Sequence, residues 1–564
     1  MNDQNGPTDF TALRPAKRVL GGALVTLIAL GGGTSATGPS VSAQAPTVPG
    51  CDVASMQAAA PKDTTITAAA WVEAPVRNCR VDGYVTTTNP GPNRNNFRLQ
   101  LPAREAWNHR YYFIGLGGAG GSVPTDSQIP RGNPLVKGFA VAGTDKGHQS
   151  DALDWSFQTD PAKALDNAHR GAHVTTLAAQ QLTRAFYGRG EMYRYHTGCS
   201  GGGDMGIKAM EMHPEDYDGV LLGWPGGNHP DPAKRNPAAN FHTMIREMTR
   251  EPGAWISPAK RQFVDRKVME ACDMADGAKD QMIWDHRLCH FDFNSLLCKG
   301  ADGPECLTAP EARTFAAIVR KTSAPISNTS MWTYLGAVPP PWDPSPDAAN
   351  AQKTAAAYVI LNGWARTQLH EPSRDVVKQP LSPAELTRIM VGQARDGGSE
   401  FGKNADIGAF LRRGGKALFF VGVSDPCCSN LNNEQYIRDI TKQYGAALVA
   451  RQTRLYEVPG WGHCGGGTGP TDGQDAMLAA LIDWVEKNKA PEGIAMHRGA
   501  DRAKLMFASA GPTTAGVAIP APTGQSRDFL VCPFPKVSVF DKAKAAIPGA
   551  VFDARNWSCR ASRS

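Results

Sequence analysis

The chain has 564 residues, 41% hydrophobic and 20% charged, an ordinary globular composition with ample apolar mass for a large core and more length than one simple domain uses. A formal charge of +6, spread without basic clusters, gives no case for nucleic acid. No segment beyond the first 45 residues approaches about 18 uninterrupted apolar residues, so no stable membrane span is expected.

Residues 1–45 read as a signal peptide. Arg14, Lys17 and Arg18 form a basic start, a short apolar run follows over 19–30, and Ala43-Gln-Ala45 fits a cleavage site; the alternative is a retained anchor. The predicted location is secreted or periplasmic. Twelve cysteines remain in the mature chain, an even number that in an exported protein reads as a disulfide framework, with no four-ligand zinc spacing among them.

Residues 95–101 and 110–115 read as strands, followed by a glycine-rich turn at 116–121. Another apolar run spans 138–144, helical periodicity runs over 162–187, a strand is expected at 192–197 and a helix at 204–212. Strands alternating with helices predict an α/β fold with a mostly parallel sheet. From about 227 to 403 the alternation fades into a segment rich in Pro, Asp, Trp and Cys, read as an inserted lid domain between a first part, 46–226, and a second part, 404–564. The sheet pattern resumes at 415–423 and 455–458, and 474–487 is an amphipathic helix.

Gly198-Cys-Ser-Gly-Gly202 matches G-x-S-x-G between a predicted strand and a predicted helix. Small residues there permit a sharp turn that lifts the Ser200 hydroxyl clear of the sheet. In a hydrolase of this type the acid and then the histidine follow the nucleophile along the chain. Asp425 ends the 415–423 strand, and His463 lies in a glycine-rich loop before the last helix. Asp406 competes with Asp425 but precedes a strand. His148, His169 and His196 are read as structural. An oxyanion site needs the Gly201 N–H and a second donor, for which Gly117 or Gly118 is the candidate; the plain alternative is an ordinary tight turn. Cys199 and Cys464 flank the serine and the histidine, and a bond between them would tie the two loops across about 265 residues.

Cys-Ser at the nucleophile, a lone Asp and His-Cys at the base resemble the tannase/feruloyl esterase family of α/β-hydrolases, which also holds mono(2-hydroxyethyl) terephthalate hydrolase. Asn78-Cys-Arg-Val81 and the 107–113 stretch with its glycine turn are similar to its amino-terminal part, and Thr144-Asp-Lys-Gly-His148 and the 170–176 stretch to parts before its nucleophile. The 213–219 stretch and Val531-Cys-Pro-Phe-Pro535 look like later parts. The resemblance implies a serine esterase acting on small-molecule or polysaccharide-linked esters of hydroxycinnamic, gallic or related aromatic acids. A non-catalytic binder on this fold and an amidase or peptidase using the same triad stay open.

Three carboxylates within 272–282 suit calcium, or form a solvated acidic turn. The resemblance implies a structural lid calcium held by Asp273, Asp276 and Asp280 side chains with the Ala278 and Met282 carbonyls. It also implies disulfides Cys51–Cys79, Cys272–Cys289, Cys298–Cys306 and Cys532–Cys559. Cys427 and Cys428, where relatives usually carry other residues, are left as a vicinal disulfide or two thiols. Departures after the nucleophile (Gly201-Gly-Gly-Asp-Met205) and before Asp425 put the pocket wall in doubt. Trp332, Trp342 and Trp364 are the lid aromatics considered for it. Oligomeric state is not readable.

Overall fold

The strands are β1 (Thr64–Val72), β2 (Asn78–Thr87), β3 (Asn93–Pro102), β4 (Arg110–Gly115), β5 (Ala140–Thr144), β6 (Tyr193–Cys199), β7 (Gly219–Gly223), β8 (Lys416–Gly422) and β9 (Thr453–Val458), with burial alternating along β2 and much of β3. They form one sheet in the order β1-β2-β3-β5-β4-β6-β7-β8-β9. From β5 to β9 every pairing is parallel, whereas β1, β2 and β3 run antiparallel to their neighbours. Every residue of β5, β7 and β8 is buried, as in strands with both faces covered. The order reverses at β4 and β5, and such reversals open a crevice at the carboxyl ends of the strands. This computed structural model describes residues 49–124, 134–223, 237–322, 333–345, 351, 353–396, 406–425, 427, 429–465, 467–499 and 526–562. The signal-peptide expectation for 1–45, Trp332 and Cys428 lie outside them.

The helix Gly171–Tyr187 packs on β2, β3 and β5, Gly201–Met212 on β4, β6 and β7, and Gly473–Lys487 on β7 and β8. The predicted continuous helix over 162–187 is interrupted by a wide turn at Asp166–Arg170. Asp166 opens that turn, and its buried carboxylate accepts from Thr87 at 2.6 Å, Asn93 at 2.7 Å and Asn95 at 3.0 Å, and also from Arg170. A carboxylate is buried only with such donors.

Between β7 and β8 the described residues hold the helices Pro237–Thr249, Pro258–Cys272, Ala309–Thr322, Ala356–Leu369 and Pro383–Asp396, joined by turns and irregular stretches. This insert shares one hydrophobic core with the sheet, and the described residues fall within one compact unit. After β9 the tail adds two hairpin-like pairs, β10 (Ile494–Arg498) with β11 (Arg527–Val531), and β12 (Lys536–Phe540) with β13 (Trp557–Ala561). None of the described helices is long and apolar enough to cross a membrane.

Candidate active site

Ser200 sits between β6 and the Gly201–Met212 helix with φ 59° and ψ −128°, a strained backbone for a residue with a Cβ. The turn is locked by Ser200 N–H donating to Gly223 O at 2.8 Å and Asp204 N–H donating to Ser200 O at 3.0 Å. Glycines make the close approach possible. A Cβ at Gly198 would lie 2.3 Å from Gly202 O, and one at Gly202 would lie 2.5 Å from Gly115 O. The helix therefore begins directly against the ends of β4 and β6, with its amide-bearing end at the serine.

The 116–121 turn lies against the same point. A Cβ on Gly201 would lie 2.2 Å from Gly118 O, and one on Gly117 would lie 3.9 Å from Ser200 Cβ. Ala119, Gly120 and Gly121 commit their N–H groups to Ala152 O, Gly117 O and Asp145 O. That leaves Gly117 and Gly118 as the turn's candidates to face the serine. Gly118 needs its glycine, with φ +58° and Ala152 O 2.3 Å from where a Cβ would stand.

His463 Nδ1–H donates to Asp425 Oδ2 at 2.7 Å, while Asp425 Oδ1 accepts from Cys427 N–H at 2.8 Å. Asp425 is buried and His463 is partly exposed. Burial opposes protonation of His463, but the Asp425 carboxylate, with Cys427 adding to it, outweighs that and pushes the imidazole up to about 9. The two loops are joined through backbone: Ser424 N–H donates to Trp461 O at 3.0 Å, and a Cβ on Gly422 would lie 2.2 Å from that oxygen. The Cys199–Cys464 disulfide closes the arrangement with a Cα–Cα distance of 5.8 Å, so the residues next to Ser200 and His463 are covalently linked. Asp406 is remote from this constellation in its bonding, accepting from Gly408 N–H and Tyr444 Oη, each at 3.0 Å.

Two further histidines, His196 and His148, brace the site. His196 Nε2–H donates to Gly202 O at 2.9 Å and stacks on Phe113; burial drives its pKa down to about 4 and keeps it neutral. His148 Nε2 and Asn167 Nδ2 meet Ala119 O at 2.9 and 2.6 Å, fixing the glycine turn from behind. Burial likewise lowers His148 to about 4. His169 pairs with His213 at 3.1 Å.

Sequence reasoning missed Tyr334, whose ring stands edge-on to His463 at 5.9 Å. Phe241 stacks on Tyr334 at 5.5 Å and on Trp364 at 5.6 Å, so the insert's aromatics form a file leading to the histidine. Trp342 instead packs on Tyr358 and donates to Val338 O at 2.9 Å. A single Tyr in the three-residue 3-10 turn Thr333–Leu335 carries no periodic signal that marks it.

All five expected disulfides are formed: Cys51–Cys79, Cys199–Cys464, Cys272–Cys289, Cys298–Cys306 and Cys532–Cys559. Cys427 is a free, buried thiol, so of the two alternatives it takes that of a thiol.

A model of the family "Tannase and feruloyl esterase" matches residues 79–559. The chain belongs to the tannase and feruloyl esterase family. It is therefore a carboxylic ester hydrolase of the α/β-hydrolase fold. Among relatives in this family, the probable feruloyl esterase B of Aspergillus clavatus is 29% identical over 447 residues, covering 75% of this chain and 76% of that one. Feruloyl esterase B of Aspergillus niger is 28% identical over 448 residues, covering 75% and 80%. The fold is shared with the crystal structure of feruloyl esterase B from Aspergillus oryzae, at a TM-score of 0.67 and 20% identity over 90% of this chain and all of that one.

A second polar centre lies in the 272–282 loop. Asp273 Oδ1 accepts from the N–H groups of Asp280 and Gln281 at 3.0 and 2.8 Å, and Asp276 Oδ2 from Trp284 N–H at 2.9 Å. Asp280 Oδ2 accepts from Trp284 Nε1 at 2.9 Å and Arg527 at 2.5 Å. Burial, reinforced by the Asp280 and Asp273 carboxylates, pushes Asp276 up to about 7. Three carboxylates in one loop are hard-oxygen donors of the kind calcium takes, while among the described residues the groups of three ligand atoms within 4.8 Å of one another lie elsewhere.

Proposed function

We propose that the protein is a secreted serine esterase that hydrolyses esters of aromatic acids, hydroxycinnamic, gallic or related, through an acyl-enzyme. The observation that carries this reading is the pairing of a strained serine turn with an Asp425–His463 hydrogen bond of 2.7 Å, the two loops linked by Cys199–Cys464. Five disulfides fit an extracellular or periplasmic location.

In the acylation step His463 takes the proton from Ser200 Oγ as that oxygen attacks the ester carbonyl. Asp425 holds the tautomer and stabilises the imidazolium, its own position fixed by Cys427 N–H. The N–H groups of Gly201 and of Gly117 or Gly118 receive the oxyanion, each donor worth about a hundred- to thousand-fold in turnover. The tetrahedral adduct collapses with the His463 proton passing to the departing alcohol. Water, deprotonated by His463, then releases the acid and restores Ser200. The names of the feruloyl esterase relatives support aromatic acyl groups, and the half-buried Tyr334 ring beside His463, backed by the buried Phe241 and Trp364, offers an aromatic wall for them.

In the same reading a structural calcium is held by the side chains of Asp273, Asp276 and Asp280 with the Ala278 and Met282 carbonyls. When bound it supplies positive charge to this loop and takes no part at the serine.

Hydrolysis of methyl ferulate and methyl gallate by wild type and Ser200→Ala tests the proposal. Turnover should fall about a million-fold in the variant, as for other triad serines. Full activity in Ser200→Ala removes the serine mechanism. Absence of both turnover and fluorophosphonate labelling at Ser200 favours a binding protein.

A further inference from the structure

The loops after β8 and β9 bring together three side chains of different chemistry. One ligand atom from each of Asp425, Cys427 and His463 lies within 4.8 Å of the other two. Cys427 is a free thiol with 7% exposure, and His463 is the member of the group open to solvent. A carboxylate oxygen, an imidazole nitrogen and a thiolate sulfur at this spacing are the donors that zinc takes at about 2.0–2.3 Å in sites with three protein ligands and one open position.

The geometry points to a zinc site at Asp425, Cys427 and His463, where Zn²⁺ or a similar thiophilic divalent cation binds and reversibly switches the esterase off. The sulfur sets the selectivity, since calcium and magnesium prefer all-oxygen sites. On binding, the Cys427 thiol and the His463 imidazolium each release a proton to solvent, the sulfur, an imidazole nitrogen and an Asp425 oxygen form bonds to zinc, and zinc sheds the three waters they replace; nothing is oxidised or reduced. Loss of activity follows from the histidine's ligation: a metal shared with Asp425 takes Nδ1, the nitrogen that faces Asp425, which breaks the Nδ1–Asp425 bond and leaves the remaining ring proton on Nε2, the atom that would accept the serine proton. The backbone needs little rearrangement, because Cys427 N–H is already tied to Asp425 and Asn240 Nδ2 donates to Cys427 O at 3.2 Å. The inhibition rests on His463 being the base of the proposed mechanism, whereas the binding does not.

The test uses the purified full-length chain at buffered free zinc, reading ester hydrolysis and, separately, zinc binding by competition with a chromophoric chelator. Wild type should bind zinc and lose activity, recover it with a zinc-selective chelator, and ignore equal calcium or magnesium. Cys427→Ser and Cys427→Ala, each normalised to its own zinc-free rate, should need at least about a hundredfold more zinc, because losing a ligand costs more than losing an outer partner. Serine keeps the shape of the buried site should alanine disturb folding. Ser200→Ala should bind zinc as wild type does. Unchanged zinc sensitivity in both Cys427 variants, or no binding by wild type, overturns the site. An active Ser200→Ala would instead overturn the serine mechanism, while Cys427-dependent binding would still stand.

Discussion

At His463 the imidazole must be neutral to take a proton from Ser200, yet its bond to Asp425 favours the protonated form. With the group pushed up to about 9, the kcat/KM of the free enzyme should climb as pH rises through that value. Stability runs the other way. The folded pKa lies above the ordinary 6.5, so the stabilisation from the charged pair is complete below about 6.5 and is lost as pH rises through about 9. A pH profile of kcat/KM on an ester stable to base would check this. A limb near the unperturbed imidazole value would mean that Asp425 does not hold the imidazolium. The neighbouring histidines take no part in that profile, since burial keeps His148 and His196 neutral down to about pH 4.

Among the elements, the acidic loop shows how much local order depends on charge balance. It leaves the Pro258–Cys272 helix, is closed by Cys272–Cys289, and is clasped from the tail by Arg527 at the start of β11. Arg527 pairs with Asp280, and Lys542 Nζ lies 3.5 Å from where a Cβ on Gly277 would stand, so two cations face three carboxylates, and the remaining negative charge is what a calcium ion would offset. Removal of calcium by a chelator should therefore lower Tm by several degrees, with recovery on adding calcium back, because a ligand bound to the folded state alone stabilises it by mass action. Asp276→Asn should weaken that recovery. A melting curve indifferent to chelator, with no calcium found by metal analysis, would leave the loop as an acidic turn held by its own N–H donors.

Across the whole molecule, Ser200 and His463 come from segments separated by the entire helical insert, and one disulfide spans that gap. Cys199 and Cys464 are 265 residues apart. Closing so long a loop in the unfolded chain is worth about 5 kcal/mol in the chain-entropy account. The Cys199→Ala/Cys464→Ala variant should thus melt well below wild type and lose turnover more than substrate affinity, because small displacements of Ser200 against His463 slow the chemical step. Equal kcat in wild type and the double variant would show that the packing of Trp461, Gly422 and the glycine turn is enough to align the pair.

Local pattern carried far in this chain. The apolar runs at β4 and β8, the small residues around Ser200, and the placement of Asp425 after a strand with His463 later in the chain are all legible in the sequence, because sheet strands and tight turns impose their requirements within a few residues. The antiparallel edge of β1 to β3, the break at Asp166–Arg170, the bracing of the glycine turn by His148 and Asn167, and the placing of Tyr334 beside His463 were decided only in three dimensions. Each depends on partners tens to hundreds of residues away. No periodicity encodes which distant carbonyl, carboxylate or ring will be brought within reach when the core closes.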